Sequence, residues 1–202
     1  MIHEQDRMLG LAKEVLGEEF MRLELVGYDL HEDFHREVTR IACKIKDEKT
    51  GKVTVIEGVG VGMIDAFFHA MLDTMSEQYP SLDTISIDKF QVTAKIGSGS
   101  ERNQGDAIAS VTIGIRNSSG KHFEFEHESR SVTRSGIEAT LRAGEYFVNS
   151  EKAFIEAYTA RTAAKESNRQ DLINRYTALM ADLVKNTSYS RVIEQIRSEM
   201  DD

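Results

Sequence analysis

Apolar and polar positions alternate along the chain with two different periods. Met8, Leu11, Ala12, Val15, Leu16 and Met21 recur every three or four residues, which predicts an amphipathic helix ending near Gly27. Further on the period drops to two. Ile41, Cys43 and Ile45 share one face of a strand, and residues 52–57 return after the turn Asp47-Glu48-Lys49-Thr50-Gly51. Ile64, Phe67, Phe68, Met71 and Met75 then mark a helix of about four turns, closed by Pro80 and Ser81. Strands follow with Phe90, Val92, Ala94 and Ile96 in phase, and with Ala107, Ala109, Val111, Ile113 and Ile115 in phase. The polar stretch 97–105 separates these two, and Asn117-Ser118-Ser119-Gly120 turns the second into residues 121–126. A helix runs from about Val132 to Val148, and helical spacing returns in Leu172, Tyr176, Leu179 and Leu183. It returns once more in Val192, Ile193, Ile196 and Met200.

Sliding the chain by 69 residues superposes strand, turn, strand and helix without a gap. Gly51-Lys52 falls on Gly120-Lys121, Glu57 on Glu126, Ala70 on Ala139 and Leu72 on Leu141. The fold class predicted is therefore α+β: two tandem ββα-type repeats, about 36–96 and 105–150, with antiparallel sheets and helices on one side. Residues 1–33 read as an N-terminal helix and connector, 34–150 as the αβ domain, and 151–202 as a C-terminal helical extension. Glycine is concentrated in the middle zone, and residues 151–202 contain neither glycine nor proline.

Charge narrows the function classes. Lys+Arg total 25 against 34 Asp+Glu among 202 residues, a formal charge of −9. An acidic surface of this kind argues against nucleic acid, whose phosphates need a basic stripe, and against anionic membranes. A single cysteine excludes an internal disulfide and fits a reducing compartment. No apolar run approaches the roughly 20 residues of a membrane span, and the first residues lack the features of a signal peptide. The chain reads as soluble and cytoplasmic.

His31-Glu32-Asp33-Phe34-His35 satisfies H-E-x-x-H, which on a helix sets two imidazoles one turn apart for zinc with the glutamate as base. The acidic Asp33 and the polar surroundings favour a connector instead. A zinc hydrolase through His31, Glu32 and His35 stands as the alternative, and no other cofactor is expected. Cys43 alternates with Ile41 and Ile45 and reads as a buried strand residue. His69 reads as a surface or interface histidine on the Phe67–Met71 helix, and His122 and His127 as members of a solvated strand face. More informative is Gly58-Val59-Gly60-Val61-Gly62 leading into Met63-Ile64-Asp65-Ala66. A glycine-rich strand-to-helix turn exposes amides at a positive helix end, suited to a carboxylate or phosphate. A Cβ at Gly62 is expected to crowd such a carboxylate and to conflict with the backbone angles.

These residues resemble the C-terminal regulatory (allosteric, dimerisation) domain of 2-isopropylmalate synthase and citramalate synthase. Gly60-Val61-Gly62-Met63-Ile64-Asp65-Ala66 matches its G-x-G-P-x-x-A turn with Met63 in place of proline. Gly105-Asp106-Ala107 matches the opening of its central strand. Ala139-Thr140-Leu141-Arg142-Ala143 with Asn149 matches its second helix, threonine replacing serine. Ser129 and Ser131 stand where the family carries its second glycine pair. The resemblance covers roughly residues 36–150 and implies a non-catalytic homodimer in a leucine-biosynthesis context, binding a branched-chain amino acid or related small carboxylate. It implies ligand contacts from Gly60, Gly62, Ile64 and Asp65, with Ser131 and Thr133 from the second turn. The family's catalytic part is a barrel of about 250 residues, for which this chain has no room. A stand-alone domain acting on a separate synthase chain is the economical reading, with a dimerisation-only module as its rival. The apolar stripe Phe67, Phe68, Met71 and Met75 is the expected dimer contact.

Overall fold

The computed structural model describes residues 2–95, 108–185, 187–188, 193–196 and 198. Ile96, the polar stretch 97–105, the Gly105-Asp106-Ala107 match, Val192 and Met200 lie outside the described residues. The elements in chain order are α1 (Ile2–Leu16), β1 (Leu23–Asp33), β2 (Val38–Asp47), β3 (Val53–Gly60) and α2 (Met63–Met75). They continue with β4 (Ser86–Lys95), β5 (Ile108–Arg116), β6 (His122–Ser129), α3 (Val132–Glu166) and α4 (Gln170–Val184). Short 3-10 turns at Gly17–Glu19 and Pro80–Thr84 lead into β1 and β4.

Two three-stranded antiparallel sheets result, ordered β1-β2-β3 and β4-β5-β6. The architecture is α+β with helices flanking the sheets, as the pattern predicts. Each repeat, however, is three strands and a helix. Residues 23–33 form β1 rather than the end of a helix and a connector, and β4 opens the second unit rather than closing the first. The first strands match in detail: Tyr28 lies opposite Cys43 and Phe90 opposite Ile113, and both strands are bulged near their start, between Leu25 and Gly27 and between Ile87 and Lys89. The 69-residue shift carries β3 onto β6 and α2 onto the start of α3. It fails for the middle strands, because Cys43 faces Ile56 whereas Ile113 faces Phe125, one residue further on. The difference sits in the hairpin turns. Asp47 N–H donates to Lys52 O (2.9 Å), but Asn117 N–H donates to Lys121 O (3.0 Å), a turn shorter by one residue. Both turns use glycine where φ is positive, +69° at Gly51 and +79° at Gly120, which a side chain would oppose.

One face of each sheet is apolar and covered by its own helix. Ile41, Cys43, Ile45 and Ile56 bury against α2 through Ala66, Phe67 and Ala70. Val111, Ile113 and Ile115 join Phe123 and Phe125, whose rings meet Tyr146 and Phe147 of α3 at 5.3–6.3 Å between centroids. Phe67, Phe68 and Met71 are thus consumed by the chain's own core, at 0%, 4% and 0% exposure, and are not a free dimer stripe. Burial of each such side chain contributes about 1.5–3 kcal/mol.

α3 is a single helix of 35 residues, so the boundary expected at 150 falls in its interior. Its second half buries Ala153, Phe154 and Ala157, α4 packs along it through Met180 and Leu183, and α1 adds Met8 and Ala12. Asn149 ties α3 to the segment before β1: its Oδ1 accepts Met21 N–H at 2.7 Å and its Nδ2 donates to Met21 O at 2.9 Å. That two-way pairing satisfies both backbone polar groups of Met21 with one side chain, the amide supplying donor and acceptor together.

Candidate functional site

β3 leaves its sheet at Gly60 and α2 begins at Met63. Gly62 caps this helix with extended backbone (φ −157°, ψ 168°) and provides no side-chain hydrogen bond to the first-turn amides. Asp65 Oδ2 accepts Val61 N–H at 3.1 Å, and His69 Nδ1 sits 3.2 Å from Asp65 Oδ1. The glycine that the geometry requires is Gly60: a Cβ there would overlap Asp65 Oδ2 and lie 2.6 Å from Ala66 N. Gly58 is as tightly placed, 2.7 Å from Ala70 Cβ. Gly62 differs from expectation, because its backbone is open to any residue and nothing lies within 4 Å of an added Cβ.

The equivalent turn before α3 is closed by hydroxyls. Ser131 caps the helix by accepting Arg134 N–H at 3.2 Å. Ser129 Oγ donates to Ser131 O at 2.8 Å and lies 2.8 Å from Ser135 Oγ. Tyr28 from β1 brings its hydroxyl to 3.5 Å from Ser131 Oγ. His127 Nδ1 lies 3.4 Å from Ser135 Oγ, and burial, reinforced by Arg142 and Arg134, lowers its pKa. His127 therefore faces the helix start, in phase with Phe123 and Phe125, and is not on a solvated face. His122 is held between Asp88 (3.0 Å) and Glu124 (3.3 Å), and the Asp88 hydrogen bond raises its pKa.

The two turns lie at the same end of the molecule because α2 and α3 pack in parallel. Gly136 admits Ile64 and Met63 beside it, and two turns on Gly144 admits Met71, close enough that a Cβ would crowd them. Met63 and Ile64 are thereby set beside Gly136, which follows the Ser131 cap and the half-buried Thr133 in α3. Beside α2 a crevice of about 690 Å³ opens over the first sheet, with Leu30, Ile41, Gly58 and Ala70 in its apolar part and His31, Arg40, His69 and Asp73 around it. That volume suits a small organic ligand. Tyr28, His127 and Ser135 were not among the expected site residues. The phase of His127 with Phe123 and Phe125 is the signal that places it inward.

His31 lies on β1 and His35 in the turn after it, so the one-turn helical spacing required by H-E-x-x-H does not arise. Among the described residues no group of three or more His, Cys, Asp or Glu could hold a metal ion. Cys43 is buried, and desolvation pushes its thiol up to about 12, which removes it as a nucleophile.

The family model of the LeuA allosteric (dimerisation) domain matches residues 3–149, spanning both βββα units and α1. The chain belongs to the LeuA allosteric (dimerisation) domain family. No curated protein matches it. The LeuA-domain match includes α1 and β1, so the family unit begins well before the residues whose motifs carry the resemblance. The match is to the regulatory domain; no catalytic domain is detected in these 202 residues, which are fewer than the about 250 of a barrel. No described helix is long and apolar enough to cross a membrane.

Proposed function

We propose that this chain is a homodimeric regulatory domain that binds a branched-chain amino acid or a related small carboxylate at the start of α2. One observation carries the reading: α2 begins on a glycine that leaves its first amides without a side-chain cap, and a crevice of ligand size lies further along the same helix, against His69, Ala70 and Asp73. α3 begins on a serine that caps it from within. Amides at the positive end of α2 would hold the ligand carboxylate. Asp65 would take the ammonium group, and Leu30, Ile41 and Ala70 the branched side chain. The output would be delivered to a catalytic barrel on a separate polypeptide, in the leucine-pathway context that the family implies.

Self-association follows from the family's dimerisation role, and the surface best suited to it is β4. Phe90 and Val92 share a face with Ile113 and Val111, which are fully buried, yet they stand 51% and 43% exposed because α3 covers β5 and β6 only. A second copy seated there would complete the cover.

The test is a thermal-shift panel of leucine, isoleucine, valine and their 2-oxo acids. A ligand at 100 times its Kd adds about 2.7 kcal/mol, or about 5–10 °C for a chain of this size. Gly62→Ala should retain the fold and weaken the shift. If nothing in the panel shifts the wild type, effector binding fails and dimerisation alone remains. The hydroxyl-closed turn at Ser129 and Ser131 favours that second reading.

A further inference from the structure

Each sheet has two edge strands, and an edge with unpaired N–H and C=O groups is a template for pairing that proteins ordinarily blunt. Three of the four edges are blunted. β1 is bulged between Leu25 and Gly27 and gives its first N–H, at Leu23, to Glu145. β4 is bulged between Ile87 and Lys89. β6 is covered: Gln5 donates to Glu124 O (3.2 Å) and accepts Glu124 N–H (3.4 Å), and Arg142 donates to Glu126 O. β3 has none of these devices. Its register with β2 is unbroken from Val53 to Gly60, and its sequence holds neither lysine nor proline.

The hairpin decides which groups of β3 stay open. Asp47 N–H donates to Lys52 O, so the ladder to β2 continues through residues 54, 56 and 58. Val53, Val55, Glu57 and Val59 therefore turn both backbone groups outward, and no described residue hydrogen-bonds to them there. Their side chains share the face away from α2, since Ile56 is buried under that helix and Gly58 lies against Ala66 and Ala70. The three valines are 50%, 51% and 62% exposed. Among them stands the exposed Glu57, opposite Ala42. Arg40 and Lys44 lie diagonal to it, opposite Val59 and Val55, and no described cation forms an ion pair with it.

The carboxylate says what fits. A second copy does not: two-fold pairing of β3 with itself sets Glu57 against its own counterpart or against a valine, and like charges directly opposite are destabilising. A strand with a cation opposite Glu57 and apolar residues two places to either side satisfies every position of the row. We propose that β3 is a docking edge for an extended segment of a partner polypeptide with the alternation apolar-x-Lys/Arg-x-apolar. The segment adds antiparallel, as every other strand pair of the molecule does, and becomes the fourth strand of the first sheet. The outward backbone groups supply affinity and the side chains at Val55, Glu57 and Val59 supply selectivity. The surface stands whether or not a carboxylate binds at the start of α2.

The experiment is a titration of the whole, isotope-labelled chain with acetylated, amidated peptides, followed by amide spectra and hydrogen exchange. The probe is Thr-Val-Thr-Lys-Thr-Val-Thr. Its controls are the same peptide with Glu in place of Lys, and the Lys peptide N-methylated at both valines, which keeps the side chains but removes the donors facing β3. The Lys peptide should shift the amides of Val53, Val55, Glu57 and Val59 and slow their exchange. It should bind about two- to tenfold more tightly than the Glu peptide, the range of a cross-strand charge pair, and N-methylation should abolish binding. Glu57→Lys, with an unchanged circular dichroism spectrum, should reverse the preference between the two peptides. No binding of the Lys peptide, undiminished binding after N-methylation, or a preference that ignores the charge at position 57 would overturn the proposal. So would protection of these four amides in the free chain that grows with its concentration, which would give the edge to a second copy.

Discussion

Replacing Gly60 by alanine separates the two glycines of the first turn by their physical roles. A Cβ on Gly60 would overlap Asp65 Oδ2 and lie 2.6 Å from Ala66 N and 2.9 Å from Ala66 Cα. The carboxylate can swing away, but it then releases Val61 N–H, which it accepts at 3.1 Å. The Ala66 backbone cannot yield alone, because Ala66 and Phe67 are fully buried against the first sheet. Overpacking of this kind costs about 1–3 kcal/mol, and loss of a capping hydrogen bond about 1 kcal/mol. The sum, about 2–4 kcal/mol, corresponds to a fall in Tm of about 5–15 °C for a chain of this size. Gly62→Ala meets no atom within 4 Å and keeps an ordinary extended backbone, so its Tm should move by less than about 2 °C. Calorimetric melts of both variants at one pH decide the matter. Equal losses at the two positions, or an unchanged Gly60→Ala, would refute the argument from close approach.

Ser131→Ala should cost about 1 kcal/mol in urea unfolding by removing the cap on Arg134 N–H. Glu145 binds its proton more tightly folded than unfolded, so its favourable contribution is complete below the unfolded pKa and lost as pH rises through about 7. Glu145→Gln should accordingly melt higher than wild type at pH 8, with the gain shrinking towards pH 5. Native Cys43 should resist a thiol reagent at pH 8 and react only in denaturant, since burial holds its pKa at about 12. Phe90→Asp should convert a particle of twice the 22.8 kDa chain mass into one of single mass by light scattering, while circular dichroism stays unchanged.

The duplicated αβ plan was legible because Ile41/Cys43/Ile45 and Val111/Ile113/Ile115 keep clean period-two phases on strands without bulges. β1 was not, and its bulge is the reason. Leu25, Tyr28 and Leu30 face the core, and the extra residue at Val26 sets the first two three apart, a spacing that imitates a helix. α3 was divided at the edge of the resembling region, although no glycine or proline near 150 would interrupt it. The turn residues before α2 were recognisable from their glycines, but which glycine is sterically required depends on how α2 sits over β3. Ala66 lies against Gly60, six residues earlier, a contact the sequence pattern does not show, and Gly62 escapes it. Tyr28 could join Ser131 only once β1 was a strand.

The continuity of α3 has a mechanical consequence. At 1.5 Å per residue its 35 residues form a rod about 52 Å long. It starts at the serine-closed turn and ends beyond the family unit, where α4 folds back along it. Arg161 Nε donates to Thr177 Oγ1 (3.0 Å) and Met180 and Leu183 are buried, so α4 travels with the rod rather than swinging from it. A tilt of about 5° at the turn would displace the far end by about 4.5 Å. The segment outside the family unit is therefore a pointer, enlarging at a distance whatever angular change is imposed at the paired helix starts.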